Sequence, residues 1–290
     1  MRVGCIDIGS NTTRLLIADR DGRRLVEVHQ ERAFTHIGRE LTASGTIGPD
    51  KIAEVVAIVV AQLELARGYG AIDVRGVATA AIRSADNGEQ LVAAIRDASG
   101  LTVEILSGEE EARLAFVGGA AMLDLPPSGE LGVIDVGGGS SELVVGTVPD
   151  RIRWWASVAL GSSSLTDRYL SSDPPSAPQL AAGRTEIATA MAGLQPPRPS
   201  VAVAVGGSAT SLSRLAGPVL DAAALGRSLD LLGSQSSGVI AERFMIDAQR
   251  ARLLPAGLLI LEAIATLLGA TLRVGRGGIR EGVLVEGRQR

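Results

Sequence analysis

Aromatic residues are scarce in this 290-residue chain: two Trp, two Tyr and three Phe make up 2% of it. The cores must therefore be built from Ala, Val, Leu and Ile, a composition that suits parallel sheets covered by helices and so an α/β class. Cys5 stands alone in an apolar run, which excludes a disulfide within the chain and argues against a reactive thiol. A cytoplasmic setting is expected, because Asp7 also interrupts the N-terminal apolar run before it reaches signal-peptide length. Lys51 is the single lysine and no GxxxxGK[ST] stretch exists, so P-loop chemistry is excluded. His29 and His36 lie on or near a predicted strand without a partner motif, so both read as structural or solvent-facing, outside any metal cluster or triad. The net charge of −4 exerts no global pull on polyanions; no nucleic-acid partner is expected, and a phosphate ligand would need a local basic site.

One long hydrophobic run is present, LLPAGLLILEAIATLLGATL between Arg252 and Arg273. It has the length of a membrane span, but Glu262 near its centre would cost about 2.5 to 3.5 kcal/mol, and Pro255 and Gly257 break its early part. A helix buried between two sheets, with no membrane partner, is the expectation. The 46% hydrophobic content and the length are enough for two domains with cores of their own.

The chain repeats itself. IDIGSNTTRLLI at residues 6–17 returns as IDVGGGSSELVV at 134–145, an offset of 128 (134 − 6). Each copy reads as a strand, a Gly-rich turn and a returning strand, and each is followed by a third strand, at 25–34 and 152–158. Helical spacing then marks 50–69, 89–98 and a helix starting near Ser107, alternating with strands RGVATA and TVEIL. The second half continues with helices at 162–169 and 178–191 and the strand VAVAV at 201–205. This order is that of a ribonuclease-H-like unit, found twice. The boundary is placed in MLDLPPSGE, giving domains 1–124 and 125–290, with the last helix able to pack back on the first.

A Gly-rich turn between two strands aims several amides at one point and lets oxygens approach where Cβ atoms are absent, which is an anion-binding nest. A plain β-hairpin uses the same residues, but two copies carrying the same Asp favour phosphate binding by Gly9, Ser10, Asn11, Gly137, Gly138, Gly139 and Ser140. A third turn, with Gly206, Gly207 and Ser208, runs from a strand into a helix whose first amides suit phosphate. Asp135 and Glu142 bracket the second turn, as paired carboxylates that place Mg²⁺ or another divalent cation beside phosphate do. Asp7 holds the first of these places in the earlier copy, and Arg14 replaces the Glu, as a phosphate-neutralising or a plain surface residue. In SGEEEARLAF, Ser107 and Glu110 have capping-box spacing, leaving Glu111 either to complement the helix dipole or to do chemistry. Glu111 shares a small-residue face with Ala115 and Gly118 that could lie against a cleft wall. Arg83 follows a strand in a predicted loop, where it could reach a phosphoryl group, and Asn87 reads as a helix cap.

IDIGSNTTRLLIAD, ATAAIRSADN, ILSGEEEARLAF, VIDVGGGSSELVVG, AVGGSATSL and GGIREGVL stand in the order of the exopolyphosphatase and guanosine pentaphosphate phosphohydrolase (Ppx/GppA) family, which the whole chain resembles. The resemblance implies two ribonuclease-H-like domains of the actin, sugar kinase and Hsp70 superfold with an interdomain cleft. It implies Mg²⁺-dependent removal of a terminal phosphate from inorganic polyphosphate, with guanosine pentaphosphate hydrolysis or a non-catalytic guanosine tetra- or pentaphosphate sensor of the stringent response as alternatives. It assigns Glu111 to orient or deprotonate water, Arg83 to the transferring phosphoryl group, and Asp135 and Glu142, more weakly Asp7, to the metal. Long members carry further C-terminal helical domains, so short polyphosphate is the expected substrate here; a homodimer is compatible with the resemblance. A sugar or acetate kinase of the same superfold is disfavoured by ILSGEEEAR.

Overall fold

A computed structural model describes residues 1–125 and 127–287, without the side chains of residues 42 and 43. The chain divides into two compact units, Met1–Met122 with the segment from Gly277 onward, and Leu123–Arg276. Of the expected boundary stretch 122–130, residue 126 lies outside the described residues. The segment from Gly277 groups with the first unit; the sequence reading ran the second domain to residue 290 and let the last helix pack back on the first.

The first unit opens with three antiparallel strands, β1 (Arg2–Ile8), β2 (Thr12–Asp21) and β3 (Arg24–Phe34). It continues through α1 (Ile37–Ser44), α2 (Pro49–Gly68), β4 (Asp73–Ala78), α3 (Ala80–Ser84), α4 (Gly88–Ser99), β5 (Val103–Ile105) and α5 (Gly108–Ala121). The second unit repeats the meander in β6 (Leu131–Val136), β7 (Ser141–Thr147) and β8 (Arg151–Val158). Then come α6 (Ser162–Tyr169), α7 (Ala177–Ala190), β9 (Val201–Val205), α8 (Gly206–Ala216), β10 (Val219–Leu220), α9 (Ala222–Ser234), α10 (Ser237–Phe244), α11 (Ala248–Leu268) and β11 (Leu272–Val274). A last helix, α12 (Ile279–Glu286), returns to the first unit.

The sheets run β3-β2-β1-β4-β5 and β10-β11-β9-β6-β7-β8. Without the two-residue β10 the second order is that of the first, so each unit is the expected ribonuclease-H-like fold. Burial on both faces explains why β1 reads as a continuous apolar run. Ile6 and Ile8 join the core under α1, α2 and α4, while Val3 and Cys5 turn to the opposite face with Leu114 and Ala115 of α5 and Val283 and Leu284 of α12. In the second unit Ile134, Val136, Leu143 and Val145 support a core shared with α11.

Helix α11 corrects one expectation. It passes through Pro255 and Gly257 without ending, and its neighbours are α6, α7, α8, α9 and α10 over one sheet, not two sheets. By length and composition it could cross a membrane, yet two thirds (67%) of its apolar window is buried in the protein, and Glu262 pairs with Arg184 of α7. The small-residue face of α5 receives a second correction, because α12 covers it. A Cβ on Gly118 would stand 2.0 Å from the carbonyl oxygen of Gly278, and one on Gly282 would stand 2.1 Å from that of Leu114. The backbones of the two helices therefore touch where glycine alone fits.

Candidate active site

Strand register builds the two turns alike. Asp7 stands opposite Arg14 across β1 and β2, and Asp135 stands opposite Glu142 across β6 and β7. Directly opposed residues of an antiparallel pair project to the same face, so the first turn is flanked by a carboxylate and a guanidinium, the second by two carboxylates. Both turns close identically: Gly9 N–H donates to the Thr12 carbonyl at 3.0 Å and Gly137 N–H to that of Ser140 at 3.0 Å.

The chain that follows each meander ties the turn's carbonyls back. Thr35 and His36 donate their backbone amides to the Asn11 carbonyl at 3.0 and 3.1 Å, and Gly38 donates to that of Ser10 at 2.8 Å. In the second unit Ser162 donates to the Gly137 carbonyl at 2.9 Å, and Ser163 and Ser164 donate to that of Gly138 at 2.9 and 3.0 Å. With these carbonyls engaged, the amides left to an anion are those of Ser10 and Asn11 and of Gly138, Gly139 and Ser140; Gly9 and Gly137, expected to bind phosphate themselves, instead spend their amides on closing the turns.

Glu111 and Arg83 meet at the carboxyl ends of the first unit's parallel strands. Ile8 of β1 is in register with Ala78 of β4, and Ala78 with Ile105 of β5, so the Gly9 turn, α3 and the start of α5 leave the sheet side by side. That is where open α/β sheets bind ligands. Ser107 caps α5 by accepting from the Glu110 amide at 3.1 Å. The reciprocal half of the expected box does not form: the Glu110 carboxylate takes Arg113 instead, at 2.7 and 2.8 Å, which holds it below its ordinary pKa. Glu111 is turned inward, 2% exposed, and accepts from Arg83 Nη1, which also donates to the Leu106 carbonyl at 2.6 Å. Arg83 sits in the short helix α3, not in a loop. Asn87 precedes α4 without a capping side-chain bond; its amide bridges to Ile47 N–H and carbonyl at 2.8 and 2.9 Å.

In the second unit Gly206 opens α8 at φ +81°, and a Cβ there would fall 2.2 Å from Asp135 Oδ1, so both backbone conformation and the carboxylate demand glycine. Ser208, a candidate phosphate ligand, is buried and spends its hydroxyl on the Val136 carbonyl at 3.1 Å. Glu142, 2% exposed, accepts from Ser157 Oγ at 2.9 Å.

Sequence reasoning missed three residues. Arg250, 8% exposed on α11, lays its guanidinium where a Cβ on Gly207 would be, 2.7 Å away. Arg280, 6% exposed, donates to the Leu15 carbonyl at 3.2 Å and acts electrostatically on Asp7. Burial pushes the Asp7 carboxyl above its ordinary pKa, and Arg280 and Arg14 pull it partly back. His36, read as having no partner motif, places Nδ1 2.8 Å from Asn11 Oδ1. Arg280 lies in the largely apolar GGIREGVL, where a charge could have drawn notice; Arg250, in the polar DAQRARLL, and His36 carried no such signal.

The donors offered to a cation are carboxylate oxygens, the hard ligands that Mg²⁺ takes, and two facing carboxylates repel unless positive charge balances them. Among the described residues no three His, Cys, Asp or Glu side chains form a metal-binding group. A site of one or two carboxylates completed by water and phosphate is how Mg²⁺ is commonly held, so Asp135 and Glu142 fit the ion.

Residues 16–290 match the Ppx/GppA phosphatase family. The chain belongs to that family. It is 28% identical over 303 residues to exopolyphosphatase 1 of Mycobacterium tuberculosis, across 98% of this chain and 88% of that protein. With exopolyphosphatase 2 of the same organism it shares 34% over 199 residues, across 63% of this chain and 59% of that protein. A crystal structure of the Aquifex aeolicus Ppx/GppA member superposes with a TM-score of 0.83 at 29% identity, covering 99% of this chain and 97% of that one. An exopolyphosphatase structure from Cytophaga hutchinsonii gives 0.87 at 23% identity, covering 98% and 96%, a likeness of fold. This Ppx/GppA chain is thus an α/β phosphatase with its two glycine turns and the Arg83–Glu111 pair in place.

Proposed function

We propose that the protein is an exopolyphosphatase, removing the terminal phosphate of inorganic polyphosphate by direct attack of water. The observation that carries this reading is the buried Glu111 carboxylate, oriented by Arg83 at the strand ends beside the Gly9 turn. A carboxylate sunk in a first helical turn has no need of such burial merely to complement a dipole. The mycobacterial relatives named exopolyphosphatase support the substrate class.

In the reaction the water oxygen forms a bond to the terminal phosphorus as the bridging P–O bond breaks, and the electron pair leaves with the shortened chain. Glu111 takes the water's proton, a contribution of typically 10²- to 10⁴-fold for general-base catalysis. In the first unit the amides of Ser10 and Asn11 bind phosphate oxygens and Arg14 adds positive charge; in the second those of Gly138, Gly139, Ser140, Gly206 and Gly207 bind them, the amides of Gly9 and Gly137 being spent on closing their turns. Asp135 and Glu142 would hold Mg²⁺, with Asp7 a further carboxylate of its own unit; the ion would neutralise charge on phosphate oxygens when bound. Arg83 keeps Glu111 aligned and lends charge to the phosphoryl group.

The test is phosphate release from short polyphosphate, long polyphosphate and guanosine pentaphosphate in parallel, with Mg²⁺ and with chelator, for the wild type and Glu111→Gln. Release from polyphosphate that Mg²⁺ supports and Glu111→Gln abolishes is expected. Release from guanosine pentaphosphate alone would move the substrate to the nucleotide, and binding without release would make the protein a sensor.

A further inference from the structure

Asn11 is 8% exposed, and among the described residues its Nδ2 is buried without a hydrogen-bond partner. Every other polar group of its side chain and carbonyl is gripped from one direction. The carbonyl takes the amides of Thr35 and His36 at 3.0 and 3.1 Å, and Oδ1 faces His36 Nδ1 at 2.8 Å. An amide oxygen can only accept, so in this contact His36 Nδ1 carries the proton and donates it. With Oδ1 on the imidazole and the ring proton on Nδ1, Nδ2 is the end of the Asn11 amide left over. Turned over, the amide would give Nδ2 to the imidazole and aim an oxygen lone pair along the direction Nδ2 now takes.

His36 is itself built for the task. Its backbone lies in the left-handed region, φ 50° and ψ 33°, which a non-glycine residue rarely occupies and which Asn and His tolerate best. Its ring stacks on Phe34, centroids 5.7 Å apart and planes 20° apart, which sets the direction of Nδ1. A left-handed cap accepted at the residue touching the Gly9 turn is strain retained where it has a use.

We infer that His36 is a positioning residue that locks the Asn11 amide with Nδ2 as a donor to a phosphate oxygen at the Gly9 turn. The inference rests on the phosphohydrolase reading of that turn, and it adds a hydrogen-bond donor to the turn's backbone amides. Buried polar groups are nearly always satisfied, so an orphan Nδ2 beside an anion-binding turn points to a ligand oxygen as its partner. A hydrogen bond to a charged group is worth more than a neutral one.

The test compares His36→Asn, whose Nδ2 can take the place of the imidazole Nδ1 and whose backbone accepts the left-handed region, with His36→Gly, which accepts the conformation and has no side chain. Phosphate release from tripolyphosphate gives KM and kcat, calorimetry gives tripolyphosphate affinity, and a thermal melt reports folding. His36→Gly should raise KM and weaken binding roughly 10- to 100-fold, the loss of one charge-assisted hydrogen bond, with kcat changed much less. His36→Asn should recover most of that loss, which a merely structural role would not predict at equal Tm. Wild-type hydrolysis with an unchanged KM in His36→Gly overturns the inference and leaves the phosphohydrolase intact. Wild-type binding without hydrolysis overturns the phosphohydrolase, and the variants' affinities then decide His36. A wild type that neither hydrolyses nor binds tripolyphosphate overturns both.

Discussion

The glycine seam between α5 and α12 predicts that Gly118→Ala destabilises the first unit, although Gly→Ala inside a helix ordinarily stabilises it. The added methyl would meet three backbone atoms of α12's start, Gly278 O at 2.0 Å, Gly282 N at 2.7 Å and Gly278 C at 3.0 Å. Backbone cannot rotate away as a side chain can, so α12 must withdraw by about 1 Å or more to restore ordinary contact. That loosens Val283 and Leu284, which are 0% and 2% exposed, against Leu114 and Ala115. Overpacking of this kind costs about 1 to 3 kcal/mol and at times more, while the better helix propensity of Ala returns about 0.8 to 1 kcal/mol. A net loss of about 1 to 2 kcal/mol is expected, a fall in Tm of roughly 3 to 10 °C for a unit of this size. Gly226→Ala, in α9 where a Cβ meets nothing within 4 Å, is the control and should gain about 0.5 to 1 kcal/mol. Urea titration with unchanged m-values separates stability from altered unfolding behaviour. Shifts of the same sign in both variants, or a wild-type midpoint in Gly118→Ala, would refute the reasoning.

Three further outcomes follow from the ionisable groups. Arg83→Met leaves Glu111 buried without its guanidinium; because the Arg83 side chain is 33% exposed, the loss should be about 1 to 2 kcal/mol, below the 3 to 5 of a fully buried pair, and phosphate release should fall with it, so an unchanged urea midpoint counts against the pairing. Asp7 titrates above its unfolded value of 3.8, so its ionisation costs stability as pH rises through the folded pKa and that cost persists at neutral pH; Asp7→Asn should therefore raise Tm at pH 7 while reducing activity, and a lower Tm would contradict it. Glu110 titrates below its unfolded value of 4.5 because Arg113 donates to it, a stabilisation present above that pH and lost as pH falls through the folded pKa. Arg113→Ala, which also frees Glu286 of α12, should lower Tm at pH 7 and flatten its acid decline; melts from pH 3 to 7 check both.

Where sequence alone sufficed, the pattern was local and strong. Strand alternation, the offset of 128 between the copies (134 − 6) and the long helices of α2, α5 and α7 are nearest-neighbour matters, and with them came two ribonuclease-H-like units. The turns at Gly9 and Gly137 were legible because glycine between two apolar strands marks the point where the chain reverses, and Glu111 because Ser107 engages its neighbour Glu110 as a cap and leaves the next carboxylate over. Short elements escaped: α3, β10 and β11 hold five, two and three residues, too few for a period to show. Tertiary structure decided the rest. Only packing could put α12 on the glycine face of α5, and seat Arg250 against Gly207 and Arg280 on the Leu15 carbonyl of β2. These depend on backbones from distant parts of the chain approaching within a few ångströms, and no spacing along the sequence encodes that distance.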